Sequence, residues 1–451
     1  MTRVSGRRLL TLLVVLAAIG LPAGVLQTLC VGRSCEAEGG GSARVPFCPL
    51  PATLRDLLAN GYREGRSPDV LGVVQGAPVY TEVAGTRLSW PAAGTVIDDV
   101  AVPLAFAGAG VRRGVELPSG VTLDRVAPTI AQILGFERPF PNVRSGTAID
   151  GVTGGDPPTL VLLIGWKGVG AADLSAHPDD WPFLASLLDE GAGTLAASTG
   201  SLPLDPAATL TTLGTGGLPS QHGITGSFVR NETGEVVAAF GTGAPVPVIA
   251  TLADDLDAPS SPIAPSPFEQ RPVISLVATD ERDRGLVGGD WYENHDTDRV
   301  ILAGGTKAVS SARSLLADNR DDGAPDLLGI VLDGSIRSMD RRSEQIVAAA
   351  RDVTHGSVLA VLAGTGAEAS ATSANPDGAL VSAVEDAVPG EAPAVAATVP
   401  GGIFLDQETL TEARVSGQVA VDALIGVTSP DGREMMADAF QGFAVSFERY
   451  C

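Results

Sequence analysis

The sequence predicts an α/β fold with a doubly wound, largely parallel sheet and helices on both faces. Short runs of Val, Ile and Leu alternate along the chain with segments of helical periodicity, which is the pattern of βα units. The runs Leu160–Ile164, Leu327–Leu332 and Val358–Ala363 are continuously apolar, as in strands covered on both faces. With 451 residues, 44% hydrophobic and 18% charged, the chain is long enough to bury a large core.

Apolar residues at intervals of three and four predict the helices. In Thr122–Leu134, for example, Val126, Ile130 and Ile133 share one face and Gly135 ends the helix. The other predicted helices are Thr53–Tyr62, Trp181–Gly191, Pro206–Leu213, Val248–Leu256, Ala308–Leu316, Arg342–Arg351 and Gly378–Val388. The other predicted strands are Asp69–Val74, Val100–Ala107, Val273–Ala278 and Val300–Leu302. From Gly417 onward the signals are mixed.

The N-terminus predicts export. Basic residues precede Leu9–Leu29, about 21 residues without a charge, which is long enough to cross a bilayer as a helix. We therefore expect a signal or anchor segment over residues 1–35, a tether over 36–50 and one domain over 51–451. The expected location is the cell membrane, with a single span at Leu9–Leu29 and an extracytoplasmic domain. Cleavage and secretion form the alternative.

Charge restricts the partners. A formal net charge of −23 argues against nucleic acid, because a phosphate backbone requires a basic surface. The membrane is an expected partner through the N-terminal segment, whereas an envelope protein or small-molecule ligand stays open.

Four cysteines, Cys30, Cys35, Cys48 and Cys451, indicate disulfides in an exported chain. Of the three possible pairings, we expect Cys35–Cys48, which closes a short loop, and Cys30–Cys451, which ties back the tail.

The segment Thr159–Ile224 resembles the opening of the type I phosphodiesterase/nucleotide pyrophosphatase group of the alkaline phosphatase superfamily. It has a buried strand, a helix leading to Gly191-Ala192, and a proline-containing loop before a second helix. It closes with Thr215-Gly216, Pro219 and His222-Gly223-Ile224. The resemblance implies an alkaline phosphatase-like sheet with a site at the carboxyl end of its first strand.

A second stretch, Asp98–Gly110 followed by Thr122–Gly146, is similar to the last part of the same fold. In the family this part follows the opening strand, whereas here it precedes it. Residues 51–150 therefore resemble the family's C-terminal part, and residues 158–451 its N-terminal and central parts. The resemblance implies a circular permutation, with a fragment of a second copy as the alternative. A permuted chain places Val100–Ala107 in the same sheet as Leu160–Ile164.

Family chemistry requires two divalent metals held by Asp and His, together with a Thr or Ser nucleophile. Trp166-Lys167 stands where a metal-binding Asp belongs, and Asp333 stands at a ligand position without the His that follows it. Thr365 lies in Ala363-Gly364-Thr365-Gly366, where the family has Asp-His-Gly. The resemblance therefore implies a degenerate site, with Asp333 as its one weak metal ligand.

The nucleophile position falls on Asp205. An Asp followed by Pro206 is typical of a helix start, so a helix cap is favoured over a catalytic role. Asp205 and the nearby Thr209 are weak catalytic candidates. None of the histidines is in a ligand register: His177, His222, His295 and His355. The segment Asp290–Asp298 is rich in carboxylates, and we interpret it as a solvated acidic loop in preference to a calcium or carbohydrate site.

Three functions follow from these patterns. The first is an exported, tethered superfamily relative that has lost catalysis and binds or scaffolds at the envelope. The second is an active hydrolase of phosphate esters or diesters with a divergent site, and the third is a structural envelope protein. No cofactor is expected, and zinc or another divalent metal belongs only to the hydrolase alternative.

Overall fold

The computed structural model describes residues 45–76, 79–83, 86–257, 268, 270–288, 291–292, 299–317, 323–366, 379–429 and 432–451. The predicted anchor at Leu9–Leu29, and with it Cys30 and Cys35, lies outside these residues. Within the described ranges, no helix combines the length and the apolar character needed to cross a bilayer.

The α-helices are α1 Ala52–Gly61, α2 Val96–Asp99, α3 Val126–Leu134, α4 Ala171–Ala176, α5 Pro182–Glu190, α6 Pro206–Thr215, α7 Pro219–His222, α8 Leu252–Leu256, α9 Thr306–Leu316, α10 Ile336–Val353, α11 Ala379–Ala387, α12 Gln407–Ala413 and α13 Gln418–Ile425. The strands are β1 Val70–Val74, β2 Val79–Val83, β3 Thr86–Trp90, β4 Ala101–Gly108, β5 Val115–Glu116, β6 Leu160–Trp166, β7 Ala192–Ser198, β8 Phe228–Arg230, β9 Val236–Ala238, β10 Ile274–Ala278, β11 Arg299–Leu302, β12 Asp326–Leu332, β13 Val358–Gly364, β14 Val395–Val399, β15 Gly402–Leu405 and β16 Met436–Gln441.

A large sheet contains eight strands in the order β11-β10-β12-β6-β13-β4-β7-β5. The five strands β11, β10, β12, β6 and β13 pair in parallel, and β4 is antiparallel to both of its neighbours. The sheet is therefore largely parallel, as predicted.

The strand β6 occupies the middle of this sheet. All of its residues are buried, and it pairs along its whole length with β12 and β13. Gly165 allows α6 to approach closely, since a Cβ there would lie 2.6 Å from Leu210 Cδ2. The predicted doubly buried strand is confirmed and extends to Trp166.

Helices cover both faces of the large sheet. One apolar cluster joins β6 to α3, α6 and α8 through residues such as Ile130, Leu210 and Leu252. The opposite cluster joins it to α5, α9 and α10, with Leu184 and Met339 among its members. Burial on both faces explains the continuously apolar strands and confirms the doubly wound arrangement.

Strand β4 lies in the same sheet as β6, separated from it by β13. This placement agrees with the prediction for Val100–Ala107. Pro103 interrupts the pairing with β7, where the register shifts between Val102 and Leu104. Proline has no N–H to donate, so a bulge is the position at which a strand tolerates it.

A second sheet, which the sequence did not predict, has the order β14-β15-β1-β16 and is antiparallel. It brings β1, near the start of the domain, against strands from its last part. One face packs against α11 and α13, and the other packs against α1. The predicted strand Asp69–Val74 exists as β1, but its partners are more than 300 residues away.

The predicted disulfide pairing is wrong, because Cys48 is bonded to Cys451. Phe47 packs edge-on against Phe440 with ring centroids 5.2 Å apart, and its N–H donates to Asp438 Oδ2 at 2.7 Å. These contacts hold the beginning of the domain against its end and place the two sulfurs within bonding distance. Spacing along the chain favours short loops, whereas the second sheet determined the actual partner.

Candidate functional site

The carboxyl ends of β6, β12 and β13 meet at one edge of the large sheet. Trp166 is in register with Leu332 on one side and with Gly364 on the other. Ligands of open α/β sheets bind at such an edge. The residues after these strands are Lys167, Asp333 and Thr365, so the structure brings the predicted positions to the same edge.

Trp166 and Thr365 are buried at this edge and form hydrogen bonds within the protein. The Trp166 ring is fully buried, and its Nε1 donates to Ser343 Oγ on α10 at 2.9 Å. Thr365 is 1% exposed, and its Oγ1 accepts from Gly168 N at 3.0 Å. Trp166 therefore fixes the end of β6 to α10, and Thr365 holds the loop after β6, so neither polar atom faces a ligand.

Lys167 forms an ion pair with Asp283. Its Nζ lies 2.8 Å from Asp283 Oδ1 and 3.2 Å from Thr279 Oγ1. The other carboxylate oxygen, Oδ2, accepts from Thr279 N, Thr279 Oγ1 and Asp280 N at 2.7–3.0 Å. The Asp283 side chain is 1% exposed and that of Lys167 is 23% exposed. An internal ammonium thus neutralises a buried carboxylate at the end of the central strand.

Sequence reasoning missed Asp283. It belongs to the short 3₁₀ helix Glu281–Leu286, which follows β10. The signal was the polar run Thr279-Asp280-Glu281-Arg282-Asp283 directly after an apolar strand, at the edge where ligands bind.

A second ion pair lies beside the first. Arg282 donates through Nε and Nη2 to the two carboxylate oxygens of Asp280 at 2.7 and 2.8 Å. This bidentate contact lowers the pKa of Asp280 to about 2. The Arg282 guanidinium also lies 6.0 Å from the centroid of the Phe228 ring. Two cations, Lys167 and Arg282, are therefore built into this edge.

Asp205 is the N-cap of α6, as predicted. Its Oδ1 accepts from Ala207 N at 2.9 Å and from Ser227 Oγ at 2.9 Å, and its Oδ2 accepts from Ser227 N at 2.8 Å. The residue is 2% exposed, and burial raises the pKa of its carboxyl group, opposed by the bonds from Ser227 and Ala207. The carboxylate is committed to backbone and serine donors, which is a structural use.

We expect Asp205→Ala to lower the free energy of unfolding by about 2 kcal/mol, the upper part of the range for a lost N-cap, because Ser227 loses its acceptors as well. Urea denaturation measures the change. The control is Asp205→Asn, which retains a capping oxygen and should lose less. An equal loss in both variants would contradict the capping role.

Thr209 and Asp333, the weak nucleophile and metal-ligand candidates, have different environments. Thr209, on the second turn of α6, is 4% exposed and its Oγ1 donates to Thr365 O at 3.5 Å. The Asp333 side chain is 50% exposed, and its nearest cation is Arg342 Nη1 at 4.0 Å. A buried hydroxyl and a solvated carboxylate beside a guanidinium do not form a nucleophile and metal pair.

The described residues do not fit the two-metal centre that the resemblance implies. Among them, no three side chains of His, Cys, Asp or Glu gather in a way that could hold a metal ion. Lys167 occupies the strand end with a positive charge, and Asp205 has its oxygens filled by donors.

His222 is a buried structural residue. Ile224 N donates to its Nδ1 at 3.1 Å, so Nε2 carries the proton and donates to Thr212 Oγ1 at 3.1 Å. Burial, with Arg63 and Arg66 nearby, lowers the pKa of His222 to about 3. The His-Gly-Ile element thus pins the end of α7 to α6, and Gly216, with φ 75°, ends α6 in the left-handed region.

His222 gives a pH prediction. Its folded pKa lies below the unfolded value of 6.5, so its contribution to stability is complete above 6.5 and is lost as pH falls. Between pH 7 and pH 5 the free energy of unfolding should drop by about 2 kcal/mol through this group. His222→Gln, which keeps a donor and an acceptor, should lose that part of the slope. Identical pH profiles for the two proteins would refute the assignment.

The acidic loop is only partly described. Asp290 and residues 293–298, including His295, lie outside the described residues. Tyr292 Oη donates to Asp255 Oδ1 at 3.0 Å. The prediction of a solvated loop therefore stays untested. One of its two aromatic residues, Tyr292, is hydrogen-bonded to the buried Asp255 carboxylate.

The fold and site define an α/β protein whose strand-end edge is occupied by internal ion pairs. The family model of type I phosphodiesterase / nucleotide pyrophosphatase matches residues 161–258, which run from β6 to just beyond α8. This match supports a relationship to the alkaline phosphatase-like superfamily over the segment that carries the first resemblance. Comparisons with curated proteins and with solved structures give no significant match.

Proposed function

We propose that this chain is a membrane-tethered, extracytoplasmic relative of the alkaline phosphatase superfamily that binds or scaffolds at the cell envelope and does not catalyse hydrolysis. The observation that carries the proposal is the Lys167–Asp283 ion pair at the end of β6.

Electrostatics supports the loss of metal chemistry. At an effective dielectric constant of 20, two unit charges ~4 Å apart interact by about 4 kcal/mol, so the Lys167 ammonium by itself repels a divalent ion at that distance by roughly 8 kcal/mol, before the attraction of Asp283 is counted. The carboxylate paired with this ammonium, Asp283, already accepts four hydrogen bonds. A metal would have to displace the lysine and rebuild this network.

The position of the nucleophile supports the same conclusion. Asp205 replaces a hydroxyl there and holds the start of α6 and Ser227. Of the two hydroxyl residues closest to Asp205 along the chain that could replace it as nucleophile, Thr209 is directed to a backbone carbonyl and Ser201 is 5% exposed. Neither has a base or a metal ligand at hydrogen-bond distance among the described contacts.

A permuted chain order is part of the proposal. The segment that resembles the family's last part packs onto the segment that resembles its first part. Gly146 N donates to Gly216 O at 3.1 Å, and Arg138 Nη1 donates to Thr215 O at 2.8 Å. These bonds satisfy carbonyl oxygens at the C-terminal end of α6, so the two segments stabilise each other as parts of one domain.

The decisive experiment uses the purified full-length chain. We expect substoichiometric zinc by elemental analysis, and no hydrolysis of aryl phosphate or phosphodiester above the rate of a mock purification. Stoichiometric zinc with turnover that a chelator abolishes would overturn the proposal in favour of the hydrolase.

Matched variants identify the source of any activity. Asp333→Asn removes the one weak metal ligand, and Thr209→Val removes the nearest buried hydroxyl. Turnover that survives both variants unchanged does not use Asp333 or Thr209, and turnover that either variant abolishes belongs to this chain.

A further inference from the structure

We propose that the C-terminal 3₁₀ helix, Gly442–Tyr450, rests on the lipid bilayer through Phe443 and Phe447. The inference depends on the membrane tether of the proposed function and adds to it the orientation of the domain.

The helix presents two phenylalanines to solvent. Phe443 is 52% exposed and Phe447 is 54% exposed, and their rings pack edge-on with centroids 6.4 Å apart. Between them Val445 is 3% exposed and belongs to the apolar cluster that contains Leu54 and Leu58 of α1. The helix is therefore amphipathic, with one side packed into the domain and an aromatic pair on the other.

This helix lies at the corner where the chain enters the domain. Cys451, the residue after the helix, is bonded to Cys48, and Phe47 packs on Phe440 just before the helix. The start of the domain and the aromatic pair thus belong to one covalently joined corner.

Chain length limits how far that corner can lie from the membrane. The predicted span ends at Leu29, so residues 30–45 connect it to the domain. At ~3.3–3.6 Å per residue, this connection reaches at most about 55 Å when fully extended. The tether therefore keeps the exposed aromatic rings within reach of the bilayer, and such rings gain free energy by entering its interface, where amphipathic surface helices bury their apolar faces.

The net charge of the chain indicates whether the contact with lipid is electrostatic or apolar. With a net charge of −23, the protein is repelled by anionic lipid, so electrostatic attraction does not drive the approach. The contact is apolar, and it should therefore persist on zwitterionic lipid and at high salt.

The test uses full-length protein reconstituted into phosphatidylcholine vesicles. Phe447→Trp introduces a fluorescent reporter, and quenching is compared between ordinary lipid and lipid with brominated acyl chains. Phe140→Trp is the matched control, because Phe140 is 48% exposed but precedes a different turn, Pro141–Val143. The signal of each reporter is taken as the difference from the wild-type chain, whose own tryptophans are constant.

We expect the Phe447→Trp reporter to lose about half of its emission, since interfacial apolar faces sit ~5–10 Å into the headgroup and acyl boundary. The Phe140→Trp reporter should keep its emission. Co-flotation with the vesicles tests the tether separately. Flotation without quenching of the Phe447→Trp reporter overturns the orientation alone, as does equal quenching of both reporters. Failure to float overturns both the tether and the inference.

Discussion

Replacing Asp255 with asparagine is expected to lower the free energy of unfolding by about 3–5 kcal/mol, the cost of breaking a buried ion pair from one side. The Asp255 side chain is fully buried. Its Oδ2 accepts from Arg138 Nε at 2.8 Å and from Arg144 Nη2 at 3.1 Å, and both guanidinium groups are nearly buried as well. The variant leaves two buried cations without their anion.

The energetic reason is visible in Arg144. Burial and the neighbouring Arg138 lower the pKa of Arg144 to about 10, while Asp255 opposes this shift. Without the carboxylate, the two cations repel each other while their side chains are almost completely buried. The arginines also bind Thr215 O and Ala250 O, so the loss would loosen the ends of α6 and α8 together.

Denaturation in urea gives the measurement, and Asp180→Asn provides the control. Asp180 pairs with Arg337, whose side chain is 70% exposed. Exposed pairs of this type contribute at most about 1 kcal/mol. If Asp255→Asn cost no more than Asp180→Asn, the buried triad would not be a stabilising element.

Removing the Cys48–Cys451 bond is the second large effect. We expect the double variant Cys48→Ser with Cys451→Ser to lose about 2–5 kcal/mol of unfolding free energy. The bond joins residues 403 positions apart, so it restricts nearly the whole unfolded domain. The native contacts of Phe47 with Phe440 remain, and the variant should therefore still fold.

If this bond is present, the single and double cysteine variants should lose the same free energy of unfolding. Each single variant, Cys48→Ser or Cys451→Ser, breaks the same bond, so both should match the double variant. Peptide mapping of the oxidised protein should recover one cross-linked pair that contains residues 48 and 451. A cross-link from Cys48 to Cys35 would contradict the structure.

Local patterns were sufficient for the elements of the large sheet. The continuous apolar runs of β6, β12 and β13 predicted strands covered on both faces, and the Asp205-Pro206 pair identified the start of α6. Strand β7, Ala192–Ser198, escaped prediction because it is mainly alanine, glycine and serine, and Thr194 is its one residue of the β-branched and aromatic types typical of strands.

At the candidate site, the sequence indicated which family residues were replaced but not what the replacements do. That Lys167 pairs with Asp283 depends on the adjacent order of β6, β12 and β10, which no local pattern specifies. The bond between His222 Nε2 and Thr212 Oγ1 likewise forms only when α7 packs against α6.

The sequence by itself determined the α/β class, the central buried strand and the cap of α6, because periodicity and capping act over a few residues. Tertiary structure alone decided the second sheet, the Cys48–Cys451 bond and the Lys167–Asp283 ion pair at the strand ends. Each of these joins residues from distant parts of the chain, and the free energy of such a contact depends on burial and distance, which exist only once the domain is packed.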